Sequence, residues 1–213
     1  MNINKNLKSY YEKLFLKYKN SFKTAQQSSR RTQEKRMQIL TDKINFKKKN
    51  KILDFGCGTA HFYNFLVKKK SFQGYYTGID IAKNIIEFNK KNFFFNKKVK
   101  FYCGDILERN FIKNEKFDYV FISGTFNNQT SDNWTWMKKT LKKLFFSTKK
   151  ALIFNNLSTY VDYHDKSLFY INPEKVFKYC KENLSYFVEL RHNYKIKKKI
   201  LPYEFTTYVY KKD

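Results

Sequence analysis

Apolar positions recur along this chain with two different spacings. In residues 1–45 they fall every three or four positions, as at Leu7, Tyr11, Leu14 and Tyr18, which predicts a helical N-terminal arm. Further along, short apolar runs alternate with helical stretches. That order predicts an α/β fold with a mostly parallel central sheet flanked by helices.

The segments with a strand pattern are separated by turns and by four helical stretches. Asp132 is a suitable N-cap for the third of these helices, and Asn172 followed by Pro173 is a strong start for the fourth. The last two strands are expected to form an antiparallel pair. The predicted strands span residues 51–55, 75–80, 99–105, 117–124, 151–158, 186–191 and 204–210.

The stretch from residue 51 to residue 61 reads as a strand, a glycine-rich turn and the start of a helix. Gly56 and Gly58 would let a ligand touch bare backbone, and the helix N-terminus would offer unpaired N–H groups to its anionic parts. Asp54 adds a hydrogen-bond acceptor. The turn therefore suits a nucleotide-like ligand that carries an amine and a carboxylate.

Two more carboxylates end the next two predicted strands. Asp80 lies 26 residues beyond Asp54, and Asp105 ends the third strand. In a βαβ unit this spacing brings the strand ends together, so that the Asp80 carboxylate can accept hydrogen bonds from ribose hydroxyls. All three carboxylates could instead serve only as turn and helix caps.

Length and composition favour one cytoplasmic domain. The 213 residues can bury one core, and no apolar leader or membrane-spanning stretch is visible. Three cysteines without metal-ligand spacing fit reduced thiols. No metal site is expected, and Cys57 is interpreted as a turn residue rather than a nucleophile.

The formal net charge of +26 could attract nucleic acid, an anionic membrane surface or a phosphorylated substrate. However, only five of the 44 basic residues are arginines, and Asn, Phe, Tyr and Ile are abundant. These residue types share A/T-rich codons, so genome composition is an alternative explanation. The scarcity of arginine argues against nucleic acid, although it does not exclude it.

Four segments in order resemble the class I S-adenosylmethionine-dependent methyltransferases. Residues 52–59 are similar to the first motif of that family, residues 78–81 to the acidic motif after strand two, residues 104–106 to the adenine-contacting motif, and residues 117–124 to strand four. The resemblance implies a Rossmann-like three-layer sandwich with seven strands, the last one antiparallel. The domain would span residues 1–213, with residues 1–45 as a cap on a core of residues 50–213.

The same resemblance implies S-adenosylmethionine as cofactor and S-adenosylhomocysteine as product. Asp54 would lie near the amino group, Asp80 would hold the ribose hydroxyls, and Asp105 would meet the adenine amine. The full set of expected cofactor-binding residues is Arg36, Asp54, Gly56, Cys57, Gly58, Thr59, Asp80, Ile81, Asp105, Ile106 and Ser123. An NAD-binding domain is the rival, but its Gly-x-Gly-x-x-Gly spacing is absent.

The C-terminal half is similar, less specifically, to small bacterial methyltransferases found with surface-polysaccharide genes. The resembling segments include residues 123–127, 169–173, 192–194 and 203–206. His192 and His164 are candidates for a general base, which is useful when the acceptor is a neutral hydroxyl. The expected acceptor-contacting residues are Tyr11, Asn127, Trp134, Tyr170 and Tyr194.

The sequence discounts some methyl acceptors. Residues 123–127 read Ser-Gly-Thr-Phe-Asn, which is neither the Asp/Asn-Pro-Pro-aromatic motif of base-amine methyltransferases nor a Pro-Cys motif. A small, anionic acceptor is therefore expected, with methyl transfer to an oxygen of a sugar, a nucleotide or a phosphate-type intermediate. Two alternatives stay open, an RNA methyltransferase and a non-catalytic module that only binds the cofactor.

Overall fold

The computed structural model describes residues 3–46, 49–108, 111–112, 114–197 and 201–212. The N-terminal arm contains helix α1 (Ile3–Tyr18), a short 3₁₀ helix (Phe22–Ala25) and helix α2 (Arg30–Thr41). Ser29 begins α2 with a capping box, in which its hydroxyl accepts from the N–H of Thr32. The arm is therefore helical as predicted, and the turn of 3₁₀ helix lies in a polar segment whose pattern predicts a loop.

Within the described ranges, eight strands form one sheet in the order β3-β2-β1-β4-β5-β8-β7, and β6 pairs with β5 outside that path. Strand β8 is antiparallel to both of its neighbours, and the other pairings are parallel. The strands are β1 (Lys51–Phe55), β2 (Tyr75–Asp80), β3 (Val99–Cys103), β4 (Phe117–Ile122), β5 (Thr148–Ser158), β6 (Tyr170–Ile171), β7 (Val188–Arg191) and β8 (Glu204–Tyr210).

Four helices connect these strands. They are α3 (His61–Lys70), α4 (Lys83–Asn92), α5 (Asn133–Phe146) and α6 (Pro173–Asn183). Asp132 and Asn172 cap α5 and α6 through their side chains, as the sequence predicts. The Rossmann-like fold with seven strands and an antiparallel last strand is confirmed. The two-residue strand β6 was not predicted, because its segment has no periodic pattern.

Apolar side chains alternate between the two faces of the sheet. Leu53 of β1 packs on one face with Met137 and Leu141 of α5, whereas Ile52 packs on the other face with Met37 of α2 and Phe62 of α3. This alternation follows from the two-residue period of a strand. Because both faces are covered by helices, the central strands β4 and β5 contain continuous apolar runs, at residues 119–122 and 151–154.

The N-terminal arm packs against the core through both of its helices. Phe15 of α1 meets Phe88 of α4 with ring centroids 5.4 Å apart, and the Glu12 carboxylate accepts from the N–H of Lys83 at 3.1 Å. From β8, the Tyr208 hydroxyl donates to the Ile39 carbonyl of α2. These contacts hold the arm beside the carboxyl ends of the central strands.

Candidate active site

A cavity of about 390 Å³ lies between the N-terminal arm and the carboxyl ends of β1 to β4. Each strand contributes the residues that directly follow it or end it. The strand side of the cavity is lined by residues 54–59 of β1 and its turn, residues 80–81 after β2, residues 104–105 after β3 and residues 123–125 after β4. The sheet therefore gathers the predicted carboxylates around one space.

The turn after β1 depends on two glycines with positive φ angles. Gly56 has φ +77°, and a Cβ atom there would lie 2.2 Å from Oγ1 of Thr125. That hydroxyl donates to the Phe55 carbonyl at 2.9 Å, so Thr125 locks β4 onto the turn. Gly58 has φ +49°, and a Cβ atom there would meet nothing within 4 Å. Gly56 thus serves the fold, and Gly58 leaves room for a ligand.

The N–H groups of this turn are used within the protein. Gly56 and Cys57 both donate to the Ile79 carbonyl, at 2.8 and 3.1 Å, and Gly58 donates to Oδ2 of Asp80 at 2.9 Å. The donors that can reach a ligand belong to the first turn of α3, whose N-cap, Ala60, offers no side-chain acceptor among the described residues. This is the helix N-terminus at which unpaired N–H groups are expected from the sequence.

The Asp80 carboxylate is fixed by two backbone donors. Oδ2 accepts from Gly58 and Oδ1 accepts from the N–H of Ala82 at 3.0 Å. Burial raises the pKa of Asp80, and these hydrogen bonds oppose that effect. Each carboxylate oxygen has a second lone pair, so Asp80 can still accept hydrogen bonds from the vicinal hydroxyls of a ribose.

Asp54 lies in β1, just before the turn, and is hydrogen-bonded to the neighbouring strand β2. The Tyr76 hydroxyl of β2 donates to Oδ2 of Asp54, and burial raises the pKa of this carboxyl to about 7. Burial also raises the pKa of the Cys57 thiol well above its ordinary value. The thiol is therefore protonated at neutral pH, which agrees with its interpretation as a turn residue.

The third motif divides into one residue in the cavity and one in the core. Asp105 lines the cavity, and its Oδ1 accepts from the N–H of Leu107 at 2.8 Å. Ile106 is fully buried in the core cluster with Leu53 and does not line the cavity. The family resemblance implies that either Ile106 or Ile81 flanks the adenine ring; of the two, Ile81 lines the cavity and Ile106 does not.

Arg36 reaches the cavity from the arm, as predicted, but its charge is already paired. Its Nε donates to Glu204 at 2.7 Å, and its Nη2 donates to the Tyr203 hydroxyl at 2.9 Å. Asn155 donates to the other oxygen of Glu204 at 2.8 Å. The carboxylate is 1% exposed. The ion pair therefore builds the cavity wall and joins α2 to β8.

Thr59, Ser123, Tyr11 and Asn127 also line the cavity, as expected. The Tyr11 hydroxyl accepts from Asn128 at 2.7 Å and donates to Gln26 at 3.3 Å. Burial raises the pKa of Tyr11 above its ordinary value. The phenol therefore stays protonated and bridges the arm to the loop after β4.

Besides Ile106, five more expected residues lie away from the cavity lining. The His192 ring contacts the Pro202 carbonyl, and Tyr194 is buried against Thr206 and Ile39. Their segment follows β7 at the edge of the sheet, where it packs under α2 instead of reaching the central strands. His192 and Tyr194 thus have structural contacts in place of the expected catalytic and acceptor-binding ones.

The other three make their contacts outside the cavity. His164 stacks on Tyr170 with ring centroids 4.5 Å apart, in the loop between β5 and β6. Trp134 packs against Tyr179 of α6, two positions away from Trp136, which does line the cavity. Helical phase explains this correction, because residues two positions apart point to different sides of a helix.

Several lining residues were not expected. They include His61, whose two ring nitrogens contact Gln33 at 3.1 Å and Asn20 at 2.7 Å. Burial and the charge of Arg30 lower the pKa of His61. Its place at the first position of α3 was visible in the sequence. Gln27 and Lys197 are among the others and are brought in by loops that carry no local signal, whereas Tyr203 begins the resembling segment of residues 203–206.

The residues present fit S-adenosylmethionine. The lining combines a fixed carboxylate for ribose hydroxyls, a second carboxylate for an amine, and an uncapped helix N-terminus for a carboxylate. The open space at Gly58 admits a ligand close to the backbone.

Among the described residues, no three His, Cys, Asp or Glu side chains are grouped as ligands for a metal ion. No helix in the described ranges is long and apolar enough to cross a membrane.

Comparison with known proteins agrees with this geometry. Residues 46–198 match a family model described as a methyltransferase domain. A Mycobacterium tuberculosis protein named as a methyltransferase is 29% identical over 166 residues, which cover 75% of this chain and 92% of that protein. A malonyl-[acyl-carrier protein] O-methyltransferase of Acetivibrio thermocellus is 31% identical over 134 residues, covering 60% of this chain and 46% of that enzyme.

The fold is also similar to that of solved structures. Magnesium protoporphyrin IX methyltransferase from Synechocystis PCC 6803, solved with bound SAM, aligns with a TM-score of 0.69 and 11% identity. The alignment covers 100% of this chain and 98% of that one. At this level of identity the match concerns the fold, and it extends over the N-terminal arm as well as the sheet.

Proposed function

The chain belongs to the methyltransferase domain family and is an S-adenosylmethionine-dependent methyltransferase, and we propose that it methylates an oxygen of a small acceptor. The observation that carries the proposal is the single cavity in which Asp54, Asp80 and Asp105 meet the Gly56–Gly58 turn. A ligand in this cavity faces the arm on its other side. The arm and the loops after β4 and β5 would therefore contact the acceptor.

In the proposed arrangement, each wall of the cavity holds a different part of the cofactor. Asp80 accepts from the ribose hydroxyls, Asp54 attracts the amino group, and the first turn of α3 faces the carboxylate. Asp105 and Ile81 border the adenine. The support for these roles is the hydrogen-bonding capacity of each group and its position in the lining.

The bound cofactor supplies a methyl group already activated by a sulfonium. The protein has to align an acceptor oxygen and exclude water, and good alignment can contribute roughly 7–11 kcal/mol. Tyr11 and Asn127 line the cavity on the acceptor side and are suited to orient a hydroxyl. Neither His192 nor His164 lines the cavity, so the proposal assigns no general base to them.

We propose that the acceptor is a sugar, a nucleotide or a phosphate-type intermediate of bacterial surface-polysaccharide biosynthesis in the cytoplasm. The similarity of residues 123–127 and 203–206 to methyltransferases of that kind supports this assignment. Lys197 lines the cavity and could attract an anionic group on the acceptor. The negative charge of such acceptors also suits a chain of net charge +26.

Calorimetric titration with S-adenosylhomocysteine tests the cofactor assignment, and NADH is the matched control ligand. We expect binding of the first and none of the second. Binding of NADH alone would overturn the proposal. Acceptors can then be screened with cofactor that carries a labelled methyl group. Transfer to RNA, with binding that weakens steeply as salt is raised, would instead identify an RNA methyltransferase.

A further inference from the structure

A second cavity, of about 330 Å³, lies between α1 and the loops that follow β4 and β5. It borders the cofactor cavity, because Leu7 and Gln26 line both. The boundary also contains the hydrogen bond from Asn128, which lines the second cavity, to the hydroxyl of Tyr11, which lines the first. A ligand in the second cavity therefore lies next to the space where the methyl donor binds.

The described lining of this cavity contains no charged side chain, although 29% of the chain is charged. Its polar residues are amides and hydroxyls, namely Asn6, Gln26, Asn128, Gln129, Thr130 and the serines that follow in the loops. Amides both donate and accept hydrogen bonds, as do hydroxyls. Such a lining matches a ligand that carries several uncharged hydroxyl groups.

The loop after β4 is held rigidly in place. The side chain of Asn133, which is 4% exposed, accepts from the N–H of Thr130 at 2.7 Å and donates to the Asn128 carbonyl at 2.8 Å. The N–H of Gln129 donates to the Ser167 carbonyl at 2.9 Å. Because the backbone is fixed at three successive residues, the polar side chains of this loop are positioned before a ligand arrives.

Two further features suit a ring-shaped, hydroxylated ligand. Tyr10, with 43% of its surface exposed, and Leu7 provide an apolar wall opposite the polar loop. The side chain of Gln129 is exposed on the loop side of the cavity. A pyranose has an apolar face of C–H groups and a rim of hydroxyls, so it can contact Tyr10 with one and exchange hydrogen bonds with the Gln129 amide through the other.

We propose that the second cavity binds an uncharged glycosyl unit, whose hydroxyl at the Leu7–Gln26 boundary accepts the methyl group. This inference rests on the proposed function. In the transfer, the hydroxyl oxygen forms a bond to the methyl carbon, and the carbon–sulfur bond breaks with its electron pair left on sulfur. The hydroxyl proton passes to water. An anionic part of the acceptor would lie outside this cavity.

The test is saturation-transfer NMR with methyl glycosides of hexoses and 6-deoxyhexoses, with S-adenosylhomocysteine bound. We expect at least one glycoside to bind at millimolar concentration, and its affinity should not change with salt concentration. Gln129→Ala should weaken it about fivefold through the lost hydrogen bond. The matched control is Gln73→Ala, since Gln73 is also exposed but lies outside both linings.

A second pair of variants guards against a folding defect at Gln129. Tyr10→Ala should weaken glycoside binding, whereas Tyr163→Ala should not, because Tyr163 is 77% exposed and does not line either cavity. If no glycoside binds while S-adenosylhomocysteine does, this inference is overturned and the proposed function is not. Binding restricted to glucose 1-phosphate or inorganic phosphate, and lost in salt, would also overturn it. If S-adenosylhomocysteine did not bind to the unaltered chain, the proposed function itself would be overturned.

Discussion

The two sides of the cofactor cavity are built in different ways. On the strand side, short-range contacts fix the geometry, since Gly58 bonds to Asp80 and Tyr76 bonds to Asp54 across 22 residues in each case. On the arm side, the contacts join residues far apart in the chain. Arg36 and Glu204 are separated by 168 residues.

This difference determines when each side of the cavity acquires its shape. The strand side consists of turns between adjacent parallel strands, so its shape is set once β1, β2 and β3 have paired. The arm side exists only when α1, α2, β8 and the loop after β4 have come together, and closing such long loops costs more conformational entropy. In the proposed function, a cofactor site of fixed shape is thus combined with an acceptor side built from distant parts of the chain.

The sharpest test of the arm side is Arg36→Ala. The substitution leaves Glu204 buried without its charge partner, and removal of one member of a buried ion pair costs about 3–5 kcal/mol of the free energy of unfolding. Urea denaturation followed by circular dichroism measures this loss. Removing both charges together, in the double variant Arg36→Met with Glu204→Gln, should recover most of the stability because no buried charge is left.

Arg30→Ala is the matched control for that experiment. Arg30 pairs with Glu34 at 3.1 Å, but the two side chains are 75% and 40% exposed. An exposed pair contributes about 0–1 kcal/mol. Equal losses for Arg30→Ala and Arg36→Ala would show that the arm is not held by its buried ion pair.

Asp80→Ala tests the strand side. The substitution removes the acceptor for Gly58 and Ala82 and, in the proposed arrangement, for the ribose hydroxyls. We expect S-adenosylhomocysteine to bind about 100-fold more weakly, as for the loss of two hydrogen bonds to a charged group. Asp132→Ala removes only the cap of α5 and should leave affinity unchanged at a cost of ~1 kcal/mol in stability. Unaltered affinity in the Asp80 variant would disprove its assigned role.

The raised pKa of Asp54 predicts a pH dependence on the same side. Burial raises this pKa from 3.8 to about 7. Between these values the folded protein holds a proton that the unfolded chain has lost, so the free energy of unfolding falls as pH rises from about 4 to about 7 and is then constant in this respect. Ionised Asp54 favours the amine of the cofactor.

The affinity for S-adenosylhomocysteine should therefore rise about tenfold from pH 6 to pH 8, with about fivefold of this reached by pH 7, and level off above pH 8, as expected for release of one proton. Calorimetry in buffers with different ionisation heats measures the proton directly. Asp54→Asn should flatten the profile below pH 8. A flat profile for the unaltered chain would mean that Asp54 is already ionised at pH 6 or does not meet the amine.

The strand side was predictable from the sequence for a physical reason. Glycines at turns and carboxylates at strand ends are local signals, and the parallel pairing of β1, β2 and β3 follows from their order. Asp54, Gly58, Asp80 and Asp105 therefore line the cavity as expected. The exception is Ile106, whose apolar side chain follows the motif but turns into the core.

The arm side was predictable only where a side chain projects from a helix of known phase. Tyr11 and Arg36 do so, and both reach the cavity. The partner of Arg36 could not be predicted, because nothing local in the sequence links α2 to Glu204 of β8. His192 and Tyr194 were misplaced for the same reason, since their distance from the central strands depends on the strand order of the whole sheet.

Tyr11→Phe probes the link between the two sides with the smallest expected effect. The change removes the hydroxyl that accepts from Asn128 and donates to Gln26, and the loss of such neutral hydrogen bonds costs about 1 kcal/mol of stability. Because Asp80 and Asp54 keep their own partners, S-adenosylhomocysteine affinity should change less than about twofold, while the KM of an acceptor rises about fivefold. Steady-state kinetics with that acceptor separates the two effects. A drop in cofactor affinity as large as that of Asp80→Ala would show that the two sides are coupled rather than independent.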